Sequence, residues 1–291
     1  MSFQLFMNGL PIGSVYALVA LGYSLIYAAF GLLNFSQGDV LMVGAFLGLT
    51  LFVSLKLPFP IALLLAMLGA ALIGLAMERF LLRPMARRRA RDINLLLATI
   101  ALAIILRNGS LLIWGAESQF FPSVFGEEVI SVGGLRVVPQ NIWIFVTALG
   151  LVAALQLFLY KTKPGMAMRA VALDQGAARL MGVQVNRYIA LSFALSCALG
   201  AAAGVLVAPI FFVSASMGAM IGLKGFVAAV TGGLGNLGGA VVGGLLLGIL
   251  ESMSSGLVSS GYRDAIAFLV LILLLWFKPA GLLSRHQGEK T

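Results

Sequence analysis

The stretch that decides the fold is TGGLGNLGGAVVGG, residues 231–244. Its residues Gly233, Gly235 and Gly238 have the spacing G-x-G-x-x-G, which binds dinucleotides when it follows a strand and opens a helix in a soluble domain. Here no strand pattern precedes the glycines, and no acidic residue follows them about 20 positions later. Apolar sequence surrounds the stretch on both sides, so the spacing does not predict a dinucleotide site.

The overall composition is typical of a membrane protein. Of the 291 residues, 61% are hydrophobic and only 10% are charged, whereas soluble domains carry about 25% charged residues. Long stretches lack any charge, among them Leu95–Ile105, Ala265–Phe277 and residues 188–221. Because a membrane span needs ~20 mostly apolar residues, the chain is predicted to be all-α, a polytopic transmembrane helical bundle.

The net charge of +9 is concentrated in a few places. Basic residues crowd segments 79–91 and 161–187 and the end of the chain from Lys278 onward, whereas residues 115–140 hold three glutamates and one arginine. This alternation follows the positive-inside rule and predicts that the basic loops are cytoplasmic. Membrane topology and contact with lipid therefore explain the charge, and no nucleic acid partner is needed.

Eight hydrophobic segments predict the membrane spans. The seventh would be about 52 Å long as one helix, which exceeds the ~30 Å hydrocarbon core. We expect it to break at the glycine stretch into two short crossings, which gives about eight to ten helices, some short or broken, in a single transmembrane domain over residues 1–291. The segments are residues 10–33, 39–56, 60–82, 93–114, 141–160, 188–212, 222–256 and 264–283.

Two stretches indicate a two-fold pseudo-repeat. Residues 31–48 and 222–239 each interrupt an apolar run with glycine and amide groups, and paired interruptions in transporters mark the translocation route. Glycines four residues apart also predict close contacts between helices. These are Gly44 and Gly48, Gly200 and Gly204, Gly218 and Gly222, Gly235, Gly239 and Gly243, and Gly244 and Gly248.

The second basic loop, about residues 161–187, contains a predicted amphipathic helix at 166–181. Its apolar face consists of Met166, Ala170, Leu173, Ala177 and Leu180 or Met181. Polar residues beside that face are Arg169, Gln175 and Arg179, and Gly182 is expected to end the helix. Such a helix can serve as a linker, lie in the membrane interface, or insert into a groove of a partner protein.

Three motifs resemble one family of permeases. GAARLMG, residues 176–182, resembles the E-A-A-x-x-x-G signature of ABC importer permeases, with Gly176 in place of the glutamate. NFSQGD at 34–39 and the glycine-rich block at 222–251 are similar to two motifs of the branched-chain amino acid (LivH/LivM-type) permeases. These marks cover the chain from about residue 9 to 283. The early start of the first apolar segment is more similar to the LivH type.

The resemblance implies a permease subunit of a binding-protein-dependent ABC importer for branched-chain or related small amino acids, in the inner membrane of a bacterium. Implied partners are a second permease subunit, as a hetero- or homodimer, two cytoplasmic ATP-binding subunits and a periplasmic solute-binding protein. Residues 166–182 would form the coupling helix. Its implied ATPase contacts are Arg169, Asp174, Ala177, Ala178 and Gly182, with Asp174 standing in for the missing glutamate.

Catalytic chemistry is not predicted for this chain. It has no G-x-x-x-x-G-K-[ST] sequence for ATP phosphates, no Ser/His/Asp arrangement and no cluster of metal ligands, since Cys197 and His286 are single residues of their kinds. We therefore expect no cofactor, catalytic residue or metal site here. ATP would be bound by the partner subunits.

Polar groups inside spans are candidates for the translocation route. The candidate set is Asn34, Gln37, Asp39, Gly235, Asn236 and Glu251. Three of them have a structural alternative, since Asp39 can cap the next helix, Asn236 can close a turn, and Glu251 can mark a water interface. Lys224 and Arg107 are expected to be boundary anchors whose charged ends reach the headgroups.

Other functions stay open on the sequence alone. A secondary transporter also uses broken helices, but it would need intramembrane ionisable groups for coupling, which are scarce in this sequence. A passive channel for urea or short amides leaves the helix at 166–181 without a role. The candidate residues also lack paired charges for ammonium and carboxylate, which favours a conduit whose selectivity lies in a delivering protein.

Overall fold

Nine long helices form the framework of our computed structural model, which describes residues 2–88, 90–124, 130–132, 135–257, 263–278 and 281–283. They are α1 (Ser2–Phe30), α2 (Gln37–Leu49), α3 (Phe59–Ala76), α5 (Asp92–Trp114), α6 (Pro139–Lys161), α9 (Val185–Val207), α10 (Met217–Gly232), α11 (Leu237–Leu257) and α12 (Arg263–Phe277). Helices α2 and α3 continue into π-helical turns at Thr50–Ser54 and Met77–Leu82. All eight predicted segments are helical, which confirms the polytopic helical bundle.

Short elements occupy the loops. They are the helices α4 (Arg83–Arg87), α7 (Lys163–Leu173) and α8 (Gln175–Leu180) and an antiparallel hairpin of β1 (Ile130–Val132) and β2 (Leu135–Val137). Of the described helices, seven are long and apolar enough to cross a membrane, and α10 is a shorter apolar helix of 16 residues. The small hairpin lies in the loop between α5 and α6 and adds no strand to the bundle itself.

Helices α1 and α9 occupy the centre of the bundle. Their apolar stretches are 83% and 89% buried, whereas that of α5 is only 11% buried. The outer helices instead expose large side chains such as Leu72 of α3 and Leu112 of α5. An apolar outside around a buried centre is the arrangement expected of a protein solvated by lipid.

Glycines set the distance between the central helices. A Cβ on Gly9 of α1 would lie 2.7 Å from the Cα of Ile249 in α11, and one on Gly222 of α10 would lie 2.6 Å from the Cα of Gly38 in α2. The predicted pairs on α2, α9, α10 and α11 make such contacts with neighbouring helices. Gly235 is the exception, because it lies in a turn, has a φ of +82° and shares no helix face with Gly239.

The long apolar segment breaks where the glycine stretch predicts. Helix α10 ends at Gly232 and α11 begins at Leu237, and the turn between them uses Gly233 and Gly235, both with positive φ. Gly232 then faces Gly239 across the hairpin in backbone contact. The predicted break is confirmed, but only α10 is short, because α11 has 21 residues and is long enough to cross a membrane.

The helices of the two halves pack in the same pattern. If α1, α2, α3 and α5 are exchanged with α9, α10, α11 and α12, most of the packing pairs map onto one another, although α1 with α2 and α11 with α12 have no equally extensive counterpart. The contact of α1 with α11 corresponds to the contact of α9 with α3. In the same way, the contact of α2 with α9 corresponds to that of α10 with α1, and the contact of α2 with α5 corresponds to that of α10 with α12. Helices α6 and α7 each contact both α1 and α9. A two-fold pseudo-repeat is therefore present in the packing.

The register of this repeat differs from the expected one. Helix α2 corresponds to α10, so Ser36-Gln37-Gly38 matches Ser216-Met217-Gly218, and the break at 208–216 is the counterpart of the break at 31–36. Gly38 and Gly218 touch each other where the two helices cross. Pairing residues 31–48 with 222–239 was wrong, because the conspicuous glycines of the second stretch form a hairpin turn.

Each end of the bundle has its own connection between the two halves. At the end opposite the basic loops, the backbone N–H of Gln119 donates to the Val213 carbonyl at 2.8 Å, and the N–H of Val213 donates back at 3.0 Å. At the basic end, the side chain of Arg83 donates to the Asn186 carbonyl at 3.1 Å. The loops that follow α5 and α9 therefore lie on the same side, as the charge pattern predicts.

We expect Gly222→Ala to lower the thermal unfolding midpoint of the purified protein, because the added carbon would push against the Cα of Gly38. Overpacking of this kind costs about 1–3 kcal/mol. The matched control is Gly150→Ala in α6, where a Cβ meets no described atom within 4 Å. Equal midpoints for the two variants would mean that α2 and α10 do not touch at this crossing.

Candidate functional site

Gln37 ties three central helices together at the start of α2. Its Nε2 donates to the Ser196 carbonyl of α9 at 3.0 Å. The Ser196 hydroxyl lies 3.0 Å from Gln37 Oε1 and 2.8 Å from the Gly22 carbonyl of α1, and it can donate to either. Gly22 and Gly200 leave room for the amide, since a Cβ on Gly200 would lie 3.0 Å from Gln37 Nε2.

Asn34 closes the turn that precedes α2. Its Oδ1 accepts hydrogen bonds from the Ser36 hydroxyl at 2.6 Å and from the Ser36 backbone N–H at 3.2 Å. The residue is buried, and its Nδ2 finds no partner among the described residues. The break between α1 and α2 is thus an ordered polar turn enclosed by helices.

Asp39 does not cap α2 but forms an ion pair inside the bundle. The N-cap position is Ser36, which makes no capping bond through its side chain. Arg107 Nε of α5 instead donates to Asp39 Oδ1 at 3.1 Å, and the aspartate side chain is only 4% exposed. The capping alternative for Asp39 was therefore wrong, whereas Arg107 pairs with Asp39 and keeps 42% of its side chain exposed, so its role as a boundary anchor stays a prediction.

Lys224 and Glu251 form a second ion pair, in which both side chains are buried. Lys224 Nζ lies 2.6 Å from Glu251 Oε1, and the two side chains are 7% and 0% exposed. Lys224 is therefore no headgroup anchor, contrary to the expectation, and of the two alternatives for Glu251 the water interface does not hold. The hairpin turn explains the pairing, because it folds α10 back along α11 and brings residues on either side of the glycines together.

Asn236 closes the hairpin turn between α10 and α11. Its Oδ1 accepts from the backbone N–H of Gly239 at 3.0 Å, and its Nδ2 donates to the Leu283 carbonyl. Gly235 lies beside the end of α1, where a Cβ would be 3.4 Å from the ring of Tyr27. The turn therefore contacts both the first helix and the segment after the last one.

The candidate route residues lie in three clusters around α1, not in one pocket. Asn34, Gln37 and Asp39 surround the start of α2, Gly235 and Asn236 form the hairpin turn, and Glu251 pairs with Lys224. Aromatic rings connect the first break to α10, because Phe226 packs against Tyr23 at 5.8 Å and against Phe35 at 6.2 Å between ring centroids. The sequence analysis did not identify these rings.

The second basic loop, residues 161–187, contains two helices instead of the single predicted one. Helix α7 ends at Leu173, and Asp174 has an extended backbone and begins α8 as its N-cap. Asp174 Oδ1 accepts from the backbone N–H groups of Gly176 at 2.7 Å and Ala177 at 3.0 Å. A continuous helix over 166–181 was therefore wrong, because the aspartate interrupts it by capping the second half.

Several apolar side chains of this loop are exposed at the surface of the chain. Leu173, Leu180 and Met181 are 76%, 90% and 84% exposed, and Ala177 is exposed beside them. We call these four residues the docking patch. Ala178 instead faces its own subunit and is buried.

Three further residues of the loop, among them the predicted coupling residues Arg169 and Gly182, have structural roles within the subunit. Arg169 stacks over the ring of Tyr160 at 4.4 Å, and Gly182 ends α8 with a φ of +81°. Gln175 Nε2 donates to the Ala29 carbonyl at the end of α1 with a length of 2.9 Å. The loop is thereby fastened to the central helix.

Lys224→Met should destabilise the protein by about 3–5 kcal/mol, because Glu251 would keep a buried charge without its cation. The double variant Lys224→Met with Glu251→Gln should recover most of that loss, since no charge remains. Thermal unfolding midpoints in one detergent measure both effects. A double variant as unstable as the single one would show that the ion pair does not hold α10 and α11 together.

Comparison with known proteins agrees with this architecture over nearly the whole chain. Residues 5–275 match the family described as "Branched-chain amino acid transport system / permease component". The high-affinity branched-chain amino acid transport system permease protein BraD of Pseudomonas aeruginosa is 36% identical, covering 99% of this chain and 97% of that protein. LivH of Escherichia coli, the permease protein of a system of the same description, is 35% identical with the same coverage.

A solved structure shares the arrangement of helices. PsaBC from Streptococcus pneumoniae in complex with Fab matches with a TM-score of 0.50 and 16% sequence identity, covering 94% of this chain and 91% of that one. That likeness concerns the fold alone. On the family match and the two relatives, this chain belongs to the family of branched-chain amino acid transport system permease components and is a multi-pass membrane protein.

Proposed function

We propose that this chain is the transmembrane permease subunit of a binding-protein-dependent ABC importer for branched-chain or related small amino acids. The observation that carries the proposal is the docking patch, whose three large apolar side chains are at least 76% exposed on a basic loop. Large apolar side chains that are exposed near one another on a loop are typical of a contact with another protein. The family of the chain supports an ATPase as that protein.

The docking patch can pass a movement to the centre of the bundle. The bond from Gln175 to the Ala29 carbonyl connects α8 to the end of α1, and α1 contacts α9, α10 and α11. An ATPase that shifts α8 would therefore move the end of α1 and, with it, Tyr27 beside the hairpin turn. Asp174 and Gly182 define the two ends of α8. We therefore expect this short helix to move as a rigid body.

The proposed route runs along α1 and passes the break at 31–36 and the hairpin turn at 233–236, which both lie near the end of α1. Asn34, Gln37 and Asp39 border it at the break, Gly235 and Asn236 border it at the hairpin turn, and Glu251 lies along α11. In the described conformation the polar side chains have protein partners, so the solute would meet few free charges. A weakly binding conduit of this kind leaves selectivity to the protein that delivers the solute.

The proposed assembly contains a second permease subunit, two ATP-binding subunits and a periplasmic solute-binding protein, in the inner membrane of a bacterium. ATP would be bound by the ATP-binding subunits, with no cofactor in this chain. The relatives belong to transport systems, which supports further components. The outward apolar helices, such as α5, provide surface for lipid and for the second permease.

A secondary transporter is the competing function, and the two ion pairs are the observation that favours it. Asp39 with Arg107 and Lys224 with Glu251 are intramembrane charges of the sort that proton coupling uses. In the described conformation, however, each carboxylate already binds a cation of the same chain, so neither pair offers an unoccupied carboxylate to an incoming ion.

Reconstituted transport separates these two functions. In proteoliposomes that contain the chain with its partner permease, ATPase subunits and binding protein, leucine uptake should require ATP and stop when the ATPase subunits are left out. The control is the same vesicle with a proton or sodium gradient and no ATP. Uptake driven by the gradient alone would contradict the importer and support the secondary transporter.

Ala177→Glu should uncouple ATP hydrolysis from transport, because it places a charge in the apolar docking patch. We expect at least a tenfold loss of leucine uptake with the protein still inserted and folded, measured by uptake and size-exclusion chromatography. Ala116→Glu is the matched control, since Ala116 is also exposed but lies in the loop at the opposite end. Normal uptake by the Ala177 variant would exclude the patch as the ATPase contact.

A further inference from the structure

A large cavity lies at the basic end of the bundle, apart from the candidate route. Its volume is about 830 Å³, and it opens between the end of α3, the π-helical turn that follows α3, and the start of α9. The basic residues that line it are Arg79, Arg83, Arg179 and Arg187. None of the described residues that line it is acidic.

Only one of the four arginines has its charge neutralised nearby. Arg83 binds Glu78 through two hydrogen bonds of 2.9 and 2.7 Å. The other three, Arg79, Arg179 and Arg187, make no ion pair with a described carboxylate and are exposed. Three guanidinium groups around one concave space attract an anion with several oxygen atoms, as a phosphate group has.

An apolar track leads from the cavity along the outside of α3. Leu68, Leu72, Leu75 and Arg79 follow one another at helical spacing. The three leucines are exposed by 60%, 66% and 37%. On the facing wall, Leu191 of α9 also lines the cavity. The site therefore combines a cluster of arginines with an adjoining apolar surface on α3 that would face lipid.

We propose that this cavity holds the headgroup of an anionic phospholipid from the cytoplasmic leaflet. Its phosphate sits among Arg79, Arg179 and Arg187, and one acyl chain follows the leucines of α3. Basic pockets at the cytoplasmic side of membrane helices bind such headgroups. Arg179 belongs to α8, so the bound lipid also holds the docking patch close to α3 and α9. This inference is independent of which solute the permease carries.

Native mass spectrometry of the purified complex of this chain with its partner subunits tests the site. The probes are dioleoylphosphatidylglycerol and dioleoylphosphatidylcholine, which differ in headgroup only. We expect the wild-type complex to retain the anionic lipid at least tenfold better, and Arg79→Gln with Arg187→Gln to abolish that preference. Arg87→Gln with Arg88→Gln is the control, since these loop arginines do not line the cavity and should leave the preference unchanged.

Three results would overturn the proposal. The first is an undiminished preference for the anionic lipid in the Arg79 and Arg187 double variant. The second is displacement of that lipid by inorganic phosphate at the same concentration, which would assign the site to a free anion. The third is loss of the ATPase subunits from the double variant with lipid retention unchanged, which would make the cavity a protein contact.

Discussion

Backbone contact between glycines at the crossing of α2 and α10 is the constraint on which the rest of the structure depends. Hydrocarbon surrounds the bundle, so burying apolar surface gives helices little reason to associate, and close van der Waals contact must hold them instead. Gly38, Gly218 and Gly222 allow that contact because each would otherwise place a carbon inside its neighbour. Because this close contact holds α2 and α10 against each other, both helices can begin inside the bundle, after the breaks at 31–36 and 208–216.

The buried charges follow from this packing. A helix that starts inside the bundle carries Asp39 to Arg107, and a hairpin folded on glycines carries Lys224 to Glu251. A buried ion pair contributes little net stability, but removing one partner costs several kcal/mol. Such pairs therefore discriminate against wrong arrangements of neighbouring helices more than they strengthen the correct one.

Sequence patterns predicted the elements well and their partners poorly. Apolar runs identified all eight segments, and the excess length of residues 222–256 required the break that the structure has. The Lys224–Glu251 pair was missed because a pattern along the chain treats each charge as a water boundary. Folding the hairpin about its glycines would have shown the two residues on facing helices.

The candidate site was harder to predict for a related reason. An amide inside a span can face a solute or join helices, and periodicity does not distinguish the two, as Gln37 shows by its bonds to Ser196. The break in the cytoplasmic helix did have a signal, because Asp174 followed by small residues is a typical N-cap. The helical spacing of the flanking apolar residues outweighed it.

Two backbone hydrogen bonds join Gln119 to Val213 at the end of the bundle opposite the basic loops, and they make this end comparatively rigid. Main-chain bonds have no rotamers to exchange, whereas the Arg83 side chain that joins the halves at the other end can swing away from Asn186. The loops that follow α5 and α9 should consequently stay together at this end, while the contact between Arg83 and Asn186 can open at the basic end. A transported solute would then leave at the basic end of the bundle, where the ATP-binding subunits are expected to bind.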